Sequence, residues 1–252
     1  MDNDNQMASF WDHLEVLRWV IIRILVVVMG VACVAFLWKD GLFAIVLAPA
    51  RSDFIVYRWM GAEPFTLQLV NTQLAEQFMA HLRTAMYAGV LVASPYVLYQ
   101  LFGFVSPALY DKERRYAVKA LGWTYAMFVL GTVVNYFLVF PLTVRFLGTY
   151  QVSAEVANML TLQSYMDTFF MMAIVLGVVF ELPVLCACLG KMGLLSADMM
   201  RKYRRHAVVV ILIAAAIITP TVDMFTLVVV SLPIWLLYEV SIWVVGDKDK
   251  GR

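Results

Sequence analysis

The sequence predicts an all-α, polytopic membrane protein with six transmembrane helices, a short fifth and sixth helix, and both termini in the cytoplasm. Three observations lead there. Of 252 residues, 63% are hydrophobic and only 15% are charged, with a mean hydropathy of +0.80. A soluble domain is nearer half apolar and a quarter charged, because it must cover its outside with polar groups. The apolar residues gather into six runs close to the length that crosses roughly 30 Å of hydrocarbon. Lys and Arg divide unevenly between the two sets of loops that those runs create.

The runs are Trp19–Trp38, Phe78–Leu101, Ala117–Phe140, Thr168–Leu189, His206–Thr219 and Met224–Val245. They are apolar on most faces and do not alternate as barrel strands do. The first has neither a basic n-region nor a small-residue cleavage site, so it is expected to be a retained helix. One set of loops holds Arg18, Arg23, Lys112, Arg114, Arg115, Lys119, Lys191, Arg201, Lys202, Arg204, Arg205, Lys248, Lys250 and Arg252. The other holds Lys39, Arg51, Arg58, Arg83 and Arg145. Positive charge stays inside, so the first set and both termini are expected on the cytoplasmic side of the cell membrane. The chain then reads as one integral membrane domain over 1–252. It has a cytoplasmic amphipathic segment over 1–18, extracytoplasmic caps over 39–77 and 141–167, and a cytoplasmic tail over 246–252. Pro220 and Pro233 make the last hairpin look too short for an ordinary bilayer.

A net charge of +1 argues against a nucleic-acid partner. Nucleophile-elbow, zincin, P-loop and dinucleotide motifs are missing, so no enzyme, catalytic residue, cofactor or metal is expected. Cys186 and Cys188 sit two apart on a helix, point to different faces, and are better read as packing residues.

Four places carry polar chemistry. In the amino-terminal segment Ser9 and Asp12 fit a capping box, and Phe10, Trp11, Leu14 and Leu17 make an apolar stripe with Asp12 and Glu15 off it. This is either an interfacial anchor or a docking surface for basic groups. The loop from Pro95 to Arg115 ends in Glu113-Arg114-Arg115, where Glu113 is either locally paired or a site carboxylate. Glu181, in Phe180-Glu181-Leu182-Pro183, puts a carboxyl inside a span beside a proline that leaves the Val179 carbonyl without its helical donor. It either ties helices together or lines a polar notch. Glu239 is nearer a span end and is equally open to a structural role.

Taken in order, these pieces resemble the TatC family, the multi-spanning receptor subunits of the twin-arginine protein translocase. The resemblance runs over nearly the whole chain. It rests on His13-Leu14 with Leu17-Arg18, Ala48-Pro49, and the series from Pro95 through Phe104, Pro107, Leu109-Tyr110 and Glu113-Arg114-Arg115. It continues through Phe140-Pro141-Leu142, Phe180-Glu181-Leu182-Pro183, Thr219-Pro220 with Asp223, and Pro233 with Tyr238-Glu239. It implies a receptor that binds twin-arginine signal peptides of folded precursors at the cytoplasmic face. Such receptors assemble with TatA/TatB-type single-span partners, as homo-oligomers within the complex, for export driven by the proton-motive force. Glu113, Glu15, Asp12, Phe104, Leu109 and Arg18 are then expected at the signal-peptide site. Glu181, Asp223 and Glu239 are expected as intramembrane polar or partner contacts. Carboxylates suit this task because they take guanidinium groups through bidentate, charge-assisted bonds.

Three positions depart from the family pattern. Val16 stands at the family glutamate, with Glu15 one place earlier and so about 100° away on a helix. The turn Thr219-Pro220-Thr221-Val222-Asp223 is one residue longer, and Leu227 replaces a glutamine. The alternative reading is a proton-coupled small-solute transporter using Glu181 and Glu239.

Overall fold

The computed structural model describes the chain apart from residues 1, 62, 64, 66, 73, 106–110, 152, 154–158, 220–222 and 250–252. The side chains of 2–13, 102, 105, 111–120 and 247–249 also lie outside that description. The helices are α1 (Asp2–Leu37), α2 (Lys39–Val46), α3 (Ile55–Trp59), α4 (Glu76–Val105), α5 (Asp111–Val134) and α6 (Phe140–Thr149). They continue with α7 (Leu162–Val179), α8 (Leu182–Lys191), α9 (Ala197–Lys202), α10 (Arg204–Ile218) and α11 (Met224–Asp249). Two short strands, β1 (Leu69–Val70) and β2 (Leu160–Thr161), pair in parallel with Leu69 opposite Leu160.

Each of the six apolar runs falls largely in helix, and among the described residues four helical stretches are long and apolar enough to cross a membrane: 14–37, 121–149, 162–191 and 224–246. The boundaries differ from the sequence reading in physically instructive ways. The helix through the amino-terminal segment starts at Asp2 and runs on to Leu37, so Ser9 does not begin it. The third run does not stop at Phe140. A π-helical turn over Asn135–Val139 precedes Pro141 at the start of α6, and helix continues to Thr149. Such turns accommodate one extra residue per turn inside an α-helix. The fifth helix is short, with 15 residues. The sixth is not: α11 has 26 residues and keeps Pro233 inside it. A proline removes one helical donor, but in an apolar setting no water competes for the remaining backbone groups, so the helix carries on.

Pro95 inside α4 shows how such a gap is closed. It leaves the carbonyl of Leu91 without its donor, and the Ser94 hydroxyl donates to that carbonyl at 2.7 Å.

The chain divides into two compact units, residues 1–42 with 81–125 and residues 43–80 with 126–252. In the first, α1 meets α4 through small residues. A Cβ on Gly89 would lie 2.8 Å from the Ala32 Cβ and 2.9 Å from the Val28 carbonyl, so only glycine permits the approach. His81 stacks on Phe36 at 4.0 Å, and its Nε2 lies 3.1 Å from the Phe36 carbonyl.

In the second unit, α11 packs along α8, α9 and α10, with Ala197, Met200, Ile242 and Val245 forming a buried cluster. Helix α8 ends in a left-handed Gly193 (φ +74°), whose N–H donates to the Gly190 carbonyl while that of Leu194 donates to Leu189. Those two bonds satisfy carbonyls that a helix end otherwise leaves bare.

Candidate functional site

Along α1, Glu15, Trp19 and Arg23 recur every four residues, as do Val16 and Val20, so these five side chains share one face. They border an open surface recess of about 360 Å³, the α1 cavity. Glu15 and Arg23 stand at opposite ends of it, about 12 Å apart along the helix at 1.5 Å per residue. Val16, Trp19 and Val20 supply an apolar wall between them. A carboxylate beside an indole suits a cation carried on an apolar chain, through ion pairing and cation–π attraction. Val16 and Glu15 both line the cavity. The one-residue shift from the family pattern therefore does not remove the carboxylate from it.

Arg18 is exposed on α1 and is not among the lining residues. Phe104 is half-buried near the end of α4. Glu113 lies in the first turn of α5, with its side chain outside the described residues. The side chain of Asp12 is likewise outside them, as is Leu109 altogether.

Of the three other carboxylates, Asp223 and Glu239 stand at separate places along α11. Glu181 lies in the break between α7 and α8, with Pro183 just inside α8. The Phe180 N–H donates to Leu176, and the Glu181 N–H donates to Val178 in a tightened turn. The Glu181 Oε1 is enclosed. Just before the break, α5 and α7 touch backbone to backbone. A Cβ on Gly131 would lie 2.7 Å from the Leu176 carbonyl and 2.9 Å from the Gly177 Cα.

Asp223 caps α11, its Oδ1 accepting from the Thr226 N–H at 2.7 Å. Glu239 is sixteen residues further, about 24 Å along that helix. Its Oε2 accepts from the Arg204 guanidinium at 2.6 Å.

Sequence reasoning missed a second polar cluster. Glu76 is only 3% exposed. One of its oxygens accepts from the Thr72 N–H at 2.6 Å and the Thr72 hydroxyl at 3.1 Å, while the other accepts from the Gln163 N–H at 3.3 Å. It thereby clips the start of α4 to the start of α7 beside the β1–β2 pair. An acidic residue in a helix first turn was the available signal.

Three tyrosines hold the end of α2 and the turn after it. Tyr136 donates to the Ile45 carbonyl at 2.9 Å and Tyr165 to Val46 at 2.8 Å. The Tyr57 hydroxyl lies 2.8 Å from the Pro49 carbonyl and 3.0 Å from Pro141, one donor shared by two acceptors. Burial pushes the Tyr57 phenol up from its ordinary value, with Arg145 pulling it partly back. Phe54, Phe65, Phe140 and Phe169 meet these rings, mostly edge to face. Asn135, fully buried, points its amide toward the Phe169 carbonyl at 3.4 Å.

The family model described as Sec-independent protein translocase protein (TatC) matches residues 12–233. The Sec-independent protein translocase protein TatC of Koribacter versatilis (strain Ellin345) is 36% identical over 236 residues, covering 94% of this chain and 84% of that protein. The protein of the same description from Deinococcus radiodurans is 34% identical over 238 residues, covering 93% of this chain and 84% of that one. A solved structure described as the twin arginine translocase receptor TatC superposes with a TM-score of 0.74 at 28% identity. The superposition covers 92% of this chain and 97% of the solved one.

Proposed function

The chain belongs to the TatC family of Sec-independent protein translocase proteins, and on that footing we propose that it is the subunit that reads twin-arginine signal peptides. The family is a transport component rather than a catalyst, and the apolar helices fit a multi-pass membrane protein. The observation that carries the reading is the α1 cavity, with Glu15 at one end and Val16, Trp19 and Val20 along its wall. Glu113, Asp12, Phe104, Leu109 and Arg18 complete the proposed site. In this proposal the chain is one integral membrane domain with six spans, both termini cytoplasmic, and caps over 39–77 and 141–167 outside the cytoplasmic membrane. TatA/TatB-type partners join it, Glu181 serves helix contacts with them, several copies share one complex, and export draws on the proton-motive force.

The cavity's chemistry distinguishes arginine from lysine. A guanidinium meets a carboxylate through two parallel N–H donors and stacks on an indole, whereas an ammonium is a point charge. The solute-transporter alternative is not favoured. It needs Glu239 available near the midplane, and Glu239 is engaged by Arg204.

A photoreactive residue at Val16 or Phe104 tests the proposal in membranes supplied with a radiolabelled twin-arginine precursor. Adducts that disappear when both arginines of the precursor become lysines are expected. Adducts indifferent to that exchange, or none at either position in a protein that still folds, would overturn it. Glu181→Ala is expected to impair partner assembly or transport more than peptide crosslinking.

A further inference from the structure

The corner between α9 and α10 concentrates four cations in five residues: Arg201, Lys202, Arg204 and Arg205. Two of them are used internally. Arg201 reaches Asp198 at 3.4 Å, and Arg204 reaches Glu239 on α11 at 2.6 Å. The Tyr238 hydroxyl also donates to the Met200 carbonyl at 2.8 Å, and Ala197 with Met200 is buried against Ile242 and Val245. The corner is therefore fixed on α11 and is not a loose loop. Lys202 and Arg205 remain exposed, with no carboxylate partner among the described residues.

Their placement on the helix decides what they face. Arg205, Val209, Ile213 and Ile217 recur every four residues, so they form one stripe of α10. The three apolar members are 55%, 57% and 75% exposed, while Ile211 and Ala215 on the other side are buried at 8% and 0%. In a membrane protein such an apolar, outward stripe faces lipid chains. From Arg205 to Ile217 it is about 18 Å long at 1.5 Å per residue. Arg205 stands at the head of the stripe in the first turn of α10, with Lys202 at the adjoining end of α9, where basic residues flanking an apolar helix meet lipid headgroups. Tyr203 and His206, edge to face at 5.6 Å, flank them with amphipathic rings of the kind that settle at a headgroup layer.

We propose that Lys202 and Arg205 form a headgroup seat for an anionic phospholipid whose chains run down the stripe Val209–Ile213–Ile217. Arg205 takes phosphate oxygens in bidentate fashion, and Lys202 adds a second positive charge that a zwitterionic headgroup, with its own ammonium, does not match. The proposal rests on the membrane placement of α10 and is independent of the signal-peptide reading.

The test is native mass spectrometry of the full chain in detergent, equilibrated with equal amounts of phosphatidylglycerol and phosphatidylcholine. The wild-type protein is expected to retain phosphatidylglycerol preferentially. Lys202→Gln and Arg205→Gln should each reduce that preference roughly fivefold, and the double variant by more than tenfold. Lys202→Arg should keep most of it, as should Arg58→Gln, which removes an exposed cation elsewhere, whereas Arg205→Lys keeps the charge but loses the bidentate contact and should fall between wild type and Arg205→Gln. An unchanged preference in the double variant would overturn the proposal. So would displacement of the lipid by inorganic phosphate, which would mark a bare anion site, or by a soluble acidic peptide, which would mark a protein-docking surface.

Discussion

Two regions of the same compact unit solve the problem of polar groups in opposite ways. Around Tyr57, Tyr165 and Glu76 the polar groups are turned inward. Three phenols and a carboxylate hold backbone carbonyls and N–H groups of segments distant in sequence, inside a shell of aromatic rings. Where α9, α10 and α11 meet, charged groups are turned outward: the Arg204–Glu239 pair is partly solvated and the neighbouring cations Lys202 and Arg205 are exposed. The first arrangement fixes one geometry, because a buried polar group without its partner costs its full desolvation energy. The second is tolerant, because exposed pairs contribute little. The inward region is suited to be the scaffold and the outward one to meet lipids and partners.

Substitutions should separate the two by size of effect. The largest loss is expected for Tyr165→Ala, which empties a buried aromatic site and frees the Val46 carbonyl; about 3–5 kcal/mol is typical of such truncations. Thermal unfolding in detergent measures it, and a shift no larger than that of an exposed substitution would break the comparison. Glu76→Gln should come next, at roughly 1.5–3 kcal/mol, since an amide offers only one of the two acceptor oxygens the carboxylate uses.

Tyr57→Phe removes one shared donor and should cost about 1 kcal/mol. Its pH signature is specific. The phenol's pKa is raised in the folded protein, first by burial, so its contribution is complete below the ordinary phenol value near 10. That contribution is lost as pH climbs above that value toward the folded one. Wild type should therefore lose stability in that alkaline range faster than Tyr57→Phe, and parallel profiles would count against the buried-phenol account. The smallest effect is expected for Glu239→Gln, under about 1 kcal/mol after solvent screening of a half-exposed pair. A loss as large as that of Glu76→Gln would erase the contrast between the regions.

The sequence made the outward region more legible than the inward one. Apolar runs long enough to span a bilayer located the helices, although the single run Thr168–Leu189 is divided at Phe180-Glu181 into α7 and α8. Side-chain clips across long separations left no local pattern. Glu76 and Gln163 are 87 residues apart, and Tyr165 reaches a carbonyl 119 residues away. The π-turn over Asn135–Val139 was hidden because its residues are as apolar as their α-helical neighbours. Pro233 misled in the other direction, since the cost of a proline depends on whether water competes for the freed carbonyl. At α1, the family pattern sets Val16 at the glutamate position, with Glu15 one place earlier. The cavity includes both Val16 and Glu15, and a concave surface tolerates a shift along the helix that a linear motif does not.

The central claim is that Glu15 on α1 and Glu113 on α5 read the arginine pair. Fluorescence anisotropy of a labelled twin-arginine signal peptide, titrated with purified protein, tests it most directly when wild type, Glu15→Gln and Glu113→Gln are compared against the same peptide carrying two lysines. The account predicts that each substitution weakens the twin-arginine peptide by about tenfold or more while narrowing its advantage over the lysine peptide. Equal affinity for both peptides in the wild-type protein, with neither substitution changing it, would contradict it.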